Sequence, residues 1–275
     1  MQKKMEFIKK HKSFTVFAIL AIALALVAIF ADKIAPYDPY EAILTDALQA
    51  PSSTHWFGTD KLGRDLFSRV IFGSRISLSS ALILVACIFV VGSVLGILAG
   101  YFGGWVDAVI MRIADMMISF PGMVLAIAIA GILGASITNA VIAITAVSWT
   151  KYARLARSLV LKIKNCDYIA AARVTGSTTT HILGVYLFPN VMPTLLVTAF
   201  TDIGSMMLEL AGLSFLGFGA QAPQAEWGLM LSEGRSYMMA APWMMLYPGL
   251  AILITVVIFN LLGDSLRDVL DPRDE

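Results

Sequence analysis

The most restrictive feature of this sequence is a series of apolar runs long enough to cross a lipid bilayer. A helix needs about 20 largely apolar residues to traverse the hydrocarbon core. Runs of that kind, separated by charge or by Gly and Pro, occur near Phe14 to Ala31, Ile76 to Tyr101, Ala108 to Leu133, Ile137 to Leu159, Val191 to Leu213 and Trp243 to Leu262. A chain that is 58% hydrophobic and 14% charged is too apolar for an ordinary soluble domain, so its solvent is mostly lipid. The expectation is an all-α integral membrane protein with six transmembrane helices. Arg112, Asp115 and Pro121 interrupt the third run and Lys151 cuts the fourth short, which predicts that both continue beyond the bilayer as amphipathic cytoplasmic helices.

Charge placement supplies the orientation. With the amino end inside, six crossings put Lys3, Lys4, Lys9, Lys10, Lys12, Arg112, Lys151, Arg154, Arg157, Lys162, Lys164, Arg173, Arg267 and Arg273 on the cytoplasmic side, fourteen against the six of Lys33, Lys61, Arg64, Arg69, Arg75 and Arg235 outside. Lys and Arg collect on the cytoplasmic side, so both termini are predicted to be cytoplasmic. The first run is longer than the apolar region of a signal peptide and no small-x-small cleavage site follows it, so it reads as a retained helix. A net charge of +1 gives no basic balance for nucleic acid. Cys87 and Cys166 stand in unlike surroundings and read as small packing residues rather than a disulfide or metal framework.

Two segments are long for connections in a helical bundle, which commonly run about 2 to 8 residues. The outer one, Asp32 to Arg75, carries the turn formers Pro36, Pro39, Pro51, Gly58 and Gly63. Asp60, Arg64 and Asp65 in it could form a local network, with Asp60 either stabilising a solvated helix start or meeting a delivering protein. The inner segment, Val160 to Pro189, is polar and basic. Within it, Tyr168 to Arg173 is rich in helix formers and Gly176 follows as a C-cap glycine would. A second helix-compatible stretch from Thr178 to Leu187 leads to Pro189, expected to mark the start of the fifth span.

That inner spacing resembles the EAA loop of binding-protein-dependent ABC importer permeases: Ala171, Ala172, Gly176 and Pro189 match, while the glutamate position is Ala170. Asp167, one turn earlier, could partly substitute for the missing acid. Three further segments resemble the dipeptide, oligopeptide and nickel branch of that family. They are Phe57-Gly-Thr-Asp60-Lys-Leu-Gly-Arg64-Asp65-Leu-Phe-Ser-Arg69 with Gly73 to Leu78, Ser214-Phe-Leu-Gly217-Phe-Gly219 with Glu226-Trp227-Gly228, and Gly263-Asp264 to Asp271-Pro272. The resemblance covers nearly the whole chain past residue 56.

The resemblance implies the type I ABC importer fold. An amino-terminal part would be residues 1–75 and a five-helix core residues 76–275, with a coupling loop at 160–189 that fits a groove on an ATPase subunit. Asp167, Ala170, Ala171, Ala172, Arg173, Gly176 and His181 would belong to that contact. It also implies a second homologous permease, two ATP-binding subunits and an extracytoplasmic substrate-binding protein, in the multi-pass setting of a bacterial or archaeal cell membrane. The sequence contains no G-x-x-x-x-G-K-[ST] phosphate loop, so the chain is expected not to be an enzyme, to bind no cofactor of its own, and to leave ATP and Mg to its partners.

Carboxylates inside spans are expensive in lipid and usually face a bundle interior, which singles out Asp202 and Glu209. Their separation of seven residues puts them on one helix face, with Met206 between. This face is expected to line the pathway, Glu209 supplying negative potential to a cationic substrate. Equally open is a carboxylate hydrogen-bonded to a neighbouring helix. Asp202 to Leu208 and Ala222 to Gly228 resemble nickel-type permeases and Glu209 also the peptide type. Nickel or a metal chelate is therefore expected, with di- or oligopeptide import as the alternative and a secondary transporter as the alternative of another class. The many methionines read as packing, and His55 and His181 lack a second ligand at metal-site spacing.

Overall fold

A computed structural model of the protein describes residues 12–270. Lys3, Lys4, Lys9, Lys10, Asp271, Pro272 and Arg273, used above for orientation and resemblance, lie outside the described residues. The described chain is helical: α1 Lys12–Ile29, α2 Ala31–Ile34, α3 Leu66–Phe102, α4 Gly104–Ile118, α5 Gly122–Leu133, α6 Ile137–Ile163, α7 Asp167–Val174, α8 Thr179–Phe215, α9 Trp227–Gly234 and α10 Trp243–Leu270.

All six predicted runs are helical, with differences that have local causes. Four helices, α1, α3, α8 and α10, are long and apolar enough to cross a membrane, and α4 with α5 makes a fifth if the pair counts as one span. The pair bends by 94° just ahead of Pro121, which has no N–H to continue α4 and caps α5 instead. The fourth run, α6, lacks the apolar window that a span by composition requires, because Lys151, Arg154, Arg157 and Lys162 occupy its second half. Three of these cations are matched across to other helices, at 2.6 Å from Lys151 to Asp202, 2.5 Å from Arg154 to Asp115 and 2.5 Å from Arg157 to Asp107.

Two helices begin about ten residues ahead of expectation. Asp65 N-caps α3, its carboxylate accepting from the Ser68 N–H at 2.8 Å, so the last part of the predicted outer segment is already helix. In α8 the cap is Thr178, whose hydroxyl accepts from the His181 N–H at 3.3 Å. The helix then runs through Pro189 rather than starting there. A π-helical stretch, Ile182–Leu187, widens the turn before the proline, so that the Phe188 N–H donates to the Leu183 carbonyl. This loosened geometry accommodates a ring that would crowd an α-helical turn.

The helices pack about α3. Gly92, Gly96 and Gly100 follow at steps of four and meet Trp149 and Tyr152, Ala153 and Ala156, and Val160 in turn, so α3 and α6 run parallel with their backbones nearly touching. A Cβ at Gly92 would lie 2.5 Å from that of Tyr152, and one at Gly100 2.8 Å from that of Val160. Gly204 against Asn260 and Gly263 against Thr201 set α10 antiparallel to α8. One apolar cluster joins α3, α5, α6 and α8 through Leu84, Ile144 and Leu195, and a second joins α1, α3, α8 and α10 through Val85, Met207 and Phe259. The outward faces of α1, including Ile19 and Ile22, are exposed, as a lipid-facing helix requires.

The segment between α2 and α3 folds over one end of this bundle with α9. Asp60, Arg64 and Arg69 are 1–2% exposed, which excludes the solvated helix start and the direct protein contact expected for Asp60. Arg64 Nε donates to Asp60 at 2.6 Å, and Arg64 and Arg69 both reach Glu233 of α9, at 3.2 and 3.3 Å. Asp65 does not join that cluster but accepts from or pairs with His55 Nδ1 at 2.9 Å. Glu226 caps α9, accepting from the N–H groups of Gly228 and Leu229 at 3.0 and 2.8 Å, while Trp227 Nε1 donates to the Val70 carbonyl at 2.9 Å.

Gly96→Leu should cost about 1–3 kcal/mol by forcing α3 and α6 apart, read as a lower unfolding midpoint in detergent; an unchanged midpoint would mean the seam is dispensable. Burial pushes the Glu226 carboxyl above its ordinary 4.5, only partly offset by its two backbone donors. The folded form therefore holds the proton more tightly, and stability should rise as the pH falls from neutral towards about 4.5. Glu226→Gln should flatten that slope, whereas a slope that persists would assign it to another group.

Candidate functional site

A cleft of about 470 Å³ opens where the α4–α5 bend meets α3, α6 and α8. Asp202, Met206 and Glu209 all line it, on one face of α8, with Lys151 and Tyr152 of α6 opposite. The local sequence explains this arrangement. The i, i+4, i+7 spacing aligns the three α8 residues, the Gly204 side of α8 packs on α10, and the glycine seam holds the α6 turn bearing Tyr152 against α3.

Charge is unevenly satisfied within the cleft. Asp202 is 6% exposed and doubly bonded, to Lys151 Nζ at 2.6 Å and to the Tyr152 hydroxyl at 2.9 Å. It therefore fulfils the open alternative of a carboxylate tied to a neighbouring helix while still lining the cleft. Glu209 is partly buried and makes no hydrogen bond or ion pair among the described residues. The Lys151 side chain is 59% exposed, and an ammonium with three donors keeps some free after bonding Asp202. One wall of the cleft thus offers a carboxylate and the other an ammonium.

Lys151 and Tyr152 are not among the sequence-predicted site residues; Lys151 enters there as an interruption of the fourth run and as a cytoplasmic cation. The usable signal was that a cation following an apolar half-helix needs a partner, and Asp202 is an intramembrane acid in want of one.

The predicted coupling residues occupy α7, the turn after it and the first turn of α8. Asp167 opens α7, where an acid meets the helix dipole favourably. Ala170, Ala171 and Arg173 are exposed, whereas Ala172 is buried with Ile169 against the bundle and is not available to a partner surface. Val174, 89% exposed, lies on the free side and was not foreseen. Gly176 has φ +84°, with its N–H donating to Arg173 and that of Ser177 to Ala172, a left-handed cap that a side chain would strain. His181 is exposed, its ring 5.7 Å from that of Tyr186, and belongs to α8 rather than α7.

Residues 92–274 match the family model described as binding-protein-dependent transport system inner membrane component, and residues 6–51 that of the N-terminal TM domain of oligopeptide transport permease C. The chain is 46% identical to the probable D,D-dipeptide transport system permease protein DdpC of Escherichia coli K12, over 93% of this chain and 86% of that one. It is 43% identical to the nickel transport system permease protein NikC of the same strain, over 97% and 96%. A solved structure of the MetNI methionine ABC transporter in inward-facing conformations matches with a TM-score of 0.60 and 19% identity, over 75% of this chain and 98% of the other.

Removing the Tyr152 hydroxyl strips one donor from a buried carboxylate. Tyr152→Phe should cost about 1.5–3 kcal/mol, seen as a lower unfolding midpoint; a neutral result would show that Asp202 is held by Lys151 alone.

Proposed function

From the premise that the chain belongs to the binding-protein-dependent transport system inner membrane components and is a multi-pass inner-membrane permease subunit of an ABC importer, we propose that the cleft between α6 and α8 is its stretch of the translocation pathway. Family membership displaces the secondary-transporter alternative. The observation that carries the reading is Glu209, a half-buried carboxylate on the wall of the cleft with no hydrogen-bond or ion-pair partner among the described residues. Intramembrane carboxylates left without a partner are costly unless a substrate or water meets them.

In this proposal the chain binds no cofactor, and two ATP-binding subunits hydrolyse ATP with Mg. A second permease completes the passage and an extracytoplasmic binding protein delivers the solute. The cytoplasmic side is the end that carries α7, with both termini on it. The exposed residues Asp167, Ala170, Ala171 and Val174 meet the ATPase as a helix meets a groove, while the Arg173 guanidinium turns back onto the Tyr101 ring at the end of α3. Closure of the ATPase pair then rocks α8, and Glu209 with it, between two states.

For the solute, nickel travelling as a chelate is the first reading, since Glu209 attracts positive charge. Short peptides are the second, favoured by Lys151: an exposed ammonium repels a bare dication but pairs with a carboxylate, and opposite charges on facing walls suit a zwitterion. A chelate with carboxylate ligands is compatible with the same pair.

The experiment is uptake of radioactive nickel and of a labelled dipeptide by cells expressing the full operon, with wild type, Glu209→Gln and Gly176→Pro. Proline cannot adopt φ +84° and has no N–H for Arg173, so Gly176→Pro should abolish uptake of the true substrate while the protein remains in the membrane. Glu209→Gln should reduce uptake about tenfold or more, the scale of one lost charge interaction of about 1.4 kcal/mol. Indifference to Gly176→Pro would sink the coupling role, and indifference to Glu209→Gln the pathway assignment. Which label enters decides between the two solutes.

A further inference from the structure

A second groove, of about 560 Å³ and almost wholly apolar, lies between α3 and the first turns of α8, away from the cleft's charged residues. Val90, Val94 and Leu98 line it from α3, and Leu183, Gly184 and Phe188 from α8. Val90, Val94 and Phe188 are exposed, so the groove opens towards whatever surrounds the bundle. On α3 the lining positions Phe89, Ser93 and Ile97 recur at steps of four, and the next residue on that face is Tyr101. From Phe89 to Tyr101 the helix rises about 18 Å at about 1.5 Å per residue. That is close to half of a hydrocarbon core about 30 Å thick, or one leaflet.

The end of this face is basic. The Arg173 guanidinium lies 5.8 Å from the centroid of the Tyr101 ring and Lys164 Nζ 6.0 Å from it. Among the described residues Lys164 hydrogen-bonds main-chain oxygens, those of Tyr101 at 2.6 Å and Gly100 at 3.4 Å, while the nearby Asp107 carboxylate is bonded by Arg157 instead. Arg173 makes no hydrogen bond or ion pair among the described residues, its ring contact aside. Two cations without a bonded carboxylate therefore converge on an interfacial aromatic at the mouth of an apolar groove one leaflet deep.

We propose that this groove is a binding site for an anionic phospholipid, one acyl chain lying along α3 and the phosphate held by Lys164 and Arg173. The apolar walls take the chain, the two cations match the phosphate, and a guanidinium binds phosphate oxygens in bidentate fashion. Because Arg173 belongs to α7, a bound phosphate ties α7 to the end of α3. The lipid then braces the segment that carries the coupling residues.

The test uses the transporter purified with its partner subunits, delipidated in detergent and titrated with phosphatidylglycerol or phosphatidylcholine, the retained lipid being counted by native mass spectrometry. Wild type is expected to retain one phosphatidylglycerol in preference to phosphatidylcholine. Lys164→Gln and Arg173→Gln should each weaken that preference about fivefold, the scale for one basic residue at an anionic surface. Gly184→Leu, at a position where an added Cβ meets nothing within 4 Å, fills the groove and should abolish retention of both lipids. Equal retention of the two lipids by wild type, or an unchanged preference in both glutamine variants, overturns the proposal. Lipid retention that survives Gly184→Leu would place the lipid outside this groove, and would likewise overturn the proposal. Efficient cross-linking of Val94→Cys to another subunit in the membrane would show the groove to be covered by protein, and would equally overturn it.

Discussion

The close approach of α3 and α6 is the contact on which the rest of the bundle depends. Three glycines at steps of four remove the side chains that would otherwise hold the two backbones apart, and Ala153 and Ala156 keep the facing surface low. In lipid, apolar side chains gain little by leaving one hydrocarbon surface for another, so association rests on such contact and on polar bonds between helices. The seam places Tyr152 and Lys151 at the level of Asp202, and the α4–α5 bend then closes the cleft against them. A bulky residue at Gly92 would displace the very turn that carries both partners of Asp202.

Charge is handled by the same logic. The cations in the second half of α6 would make it a poor span by itself, yet three of them face carboxylates on α4 and α8. The charges that disqualify the helix by composition are thereby the ones that attach it to its neighbours. At the other end of the bundle, Asp60, Arg64, Arg69 and Glu233 form a buried cluster joining the segment before α3 to α9. Replacing such a cluster by apolar residues can be neutral or stabilising, whereas removing one member leaves an uncompensated charge. Its evident consequence is geometric, since it fixes where α3 begins and which way α9 points.

Within this frame the cleft and the coupling segment sit on one helix. α8 begins with the turn bearing His181, passes through a π-helical stretch and two prolines, and then presents Asp202, Met206 and Glu209 to the cleft. A widened turn next to proline is a place where a helix can change direction at little cost. In the proposed mechanism that stretch lies between the surface that receives motion and the residues that meet the solute. The apolar groove flanks the same stretch, so a lipid seated there would bear on the segment that moves.

The amino-acid sequence by itself determined the fold class, the six helical runs, the C-cap glycine of α7 and the shared face of Asp202 and Glu209. Each follows from length, periodicity or a backbone requirement within a few residues of chain. The resemblance in Phe57 to Leu78, the EAA-like loop and the later segments likewise identified the importer family, because those motifs are local. Helix starts were less legible: Arg75 looks like a boundary in sequence but is a helical position whose guanidinium donates to the Ala28 and Ile29 carbonyls of α1, and Pro189 looks like a start because a π turn cannot be read from composition. Only the tertiary structure decided which acid is satisfied and which is free. Asp202 and Glu209 are alike as residues, and the difference is Lys151 and Tyr152, about fifty positions away and brought alongside by the α3–α6 seam. Burial of Ala172 with exposure of Ala171, and of Asp60 in an ion cluster rather than in water, are decided the same way. A side chain's surroundings come from elements distant in sequence, and the packing of helices against one another is what brings them there.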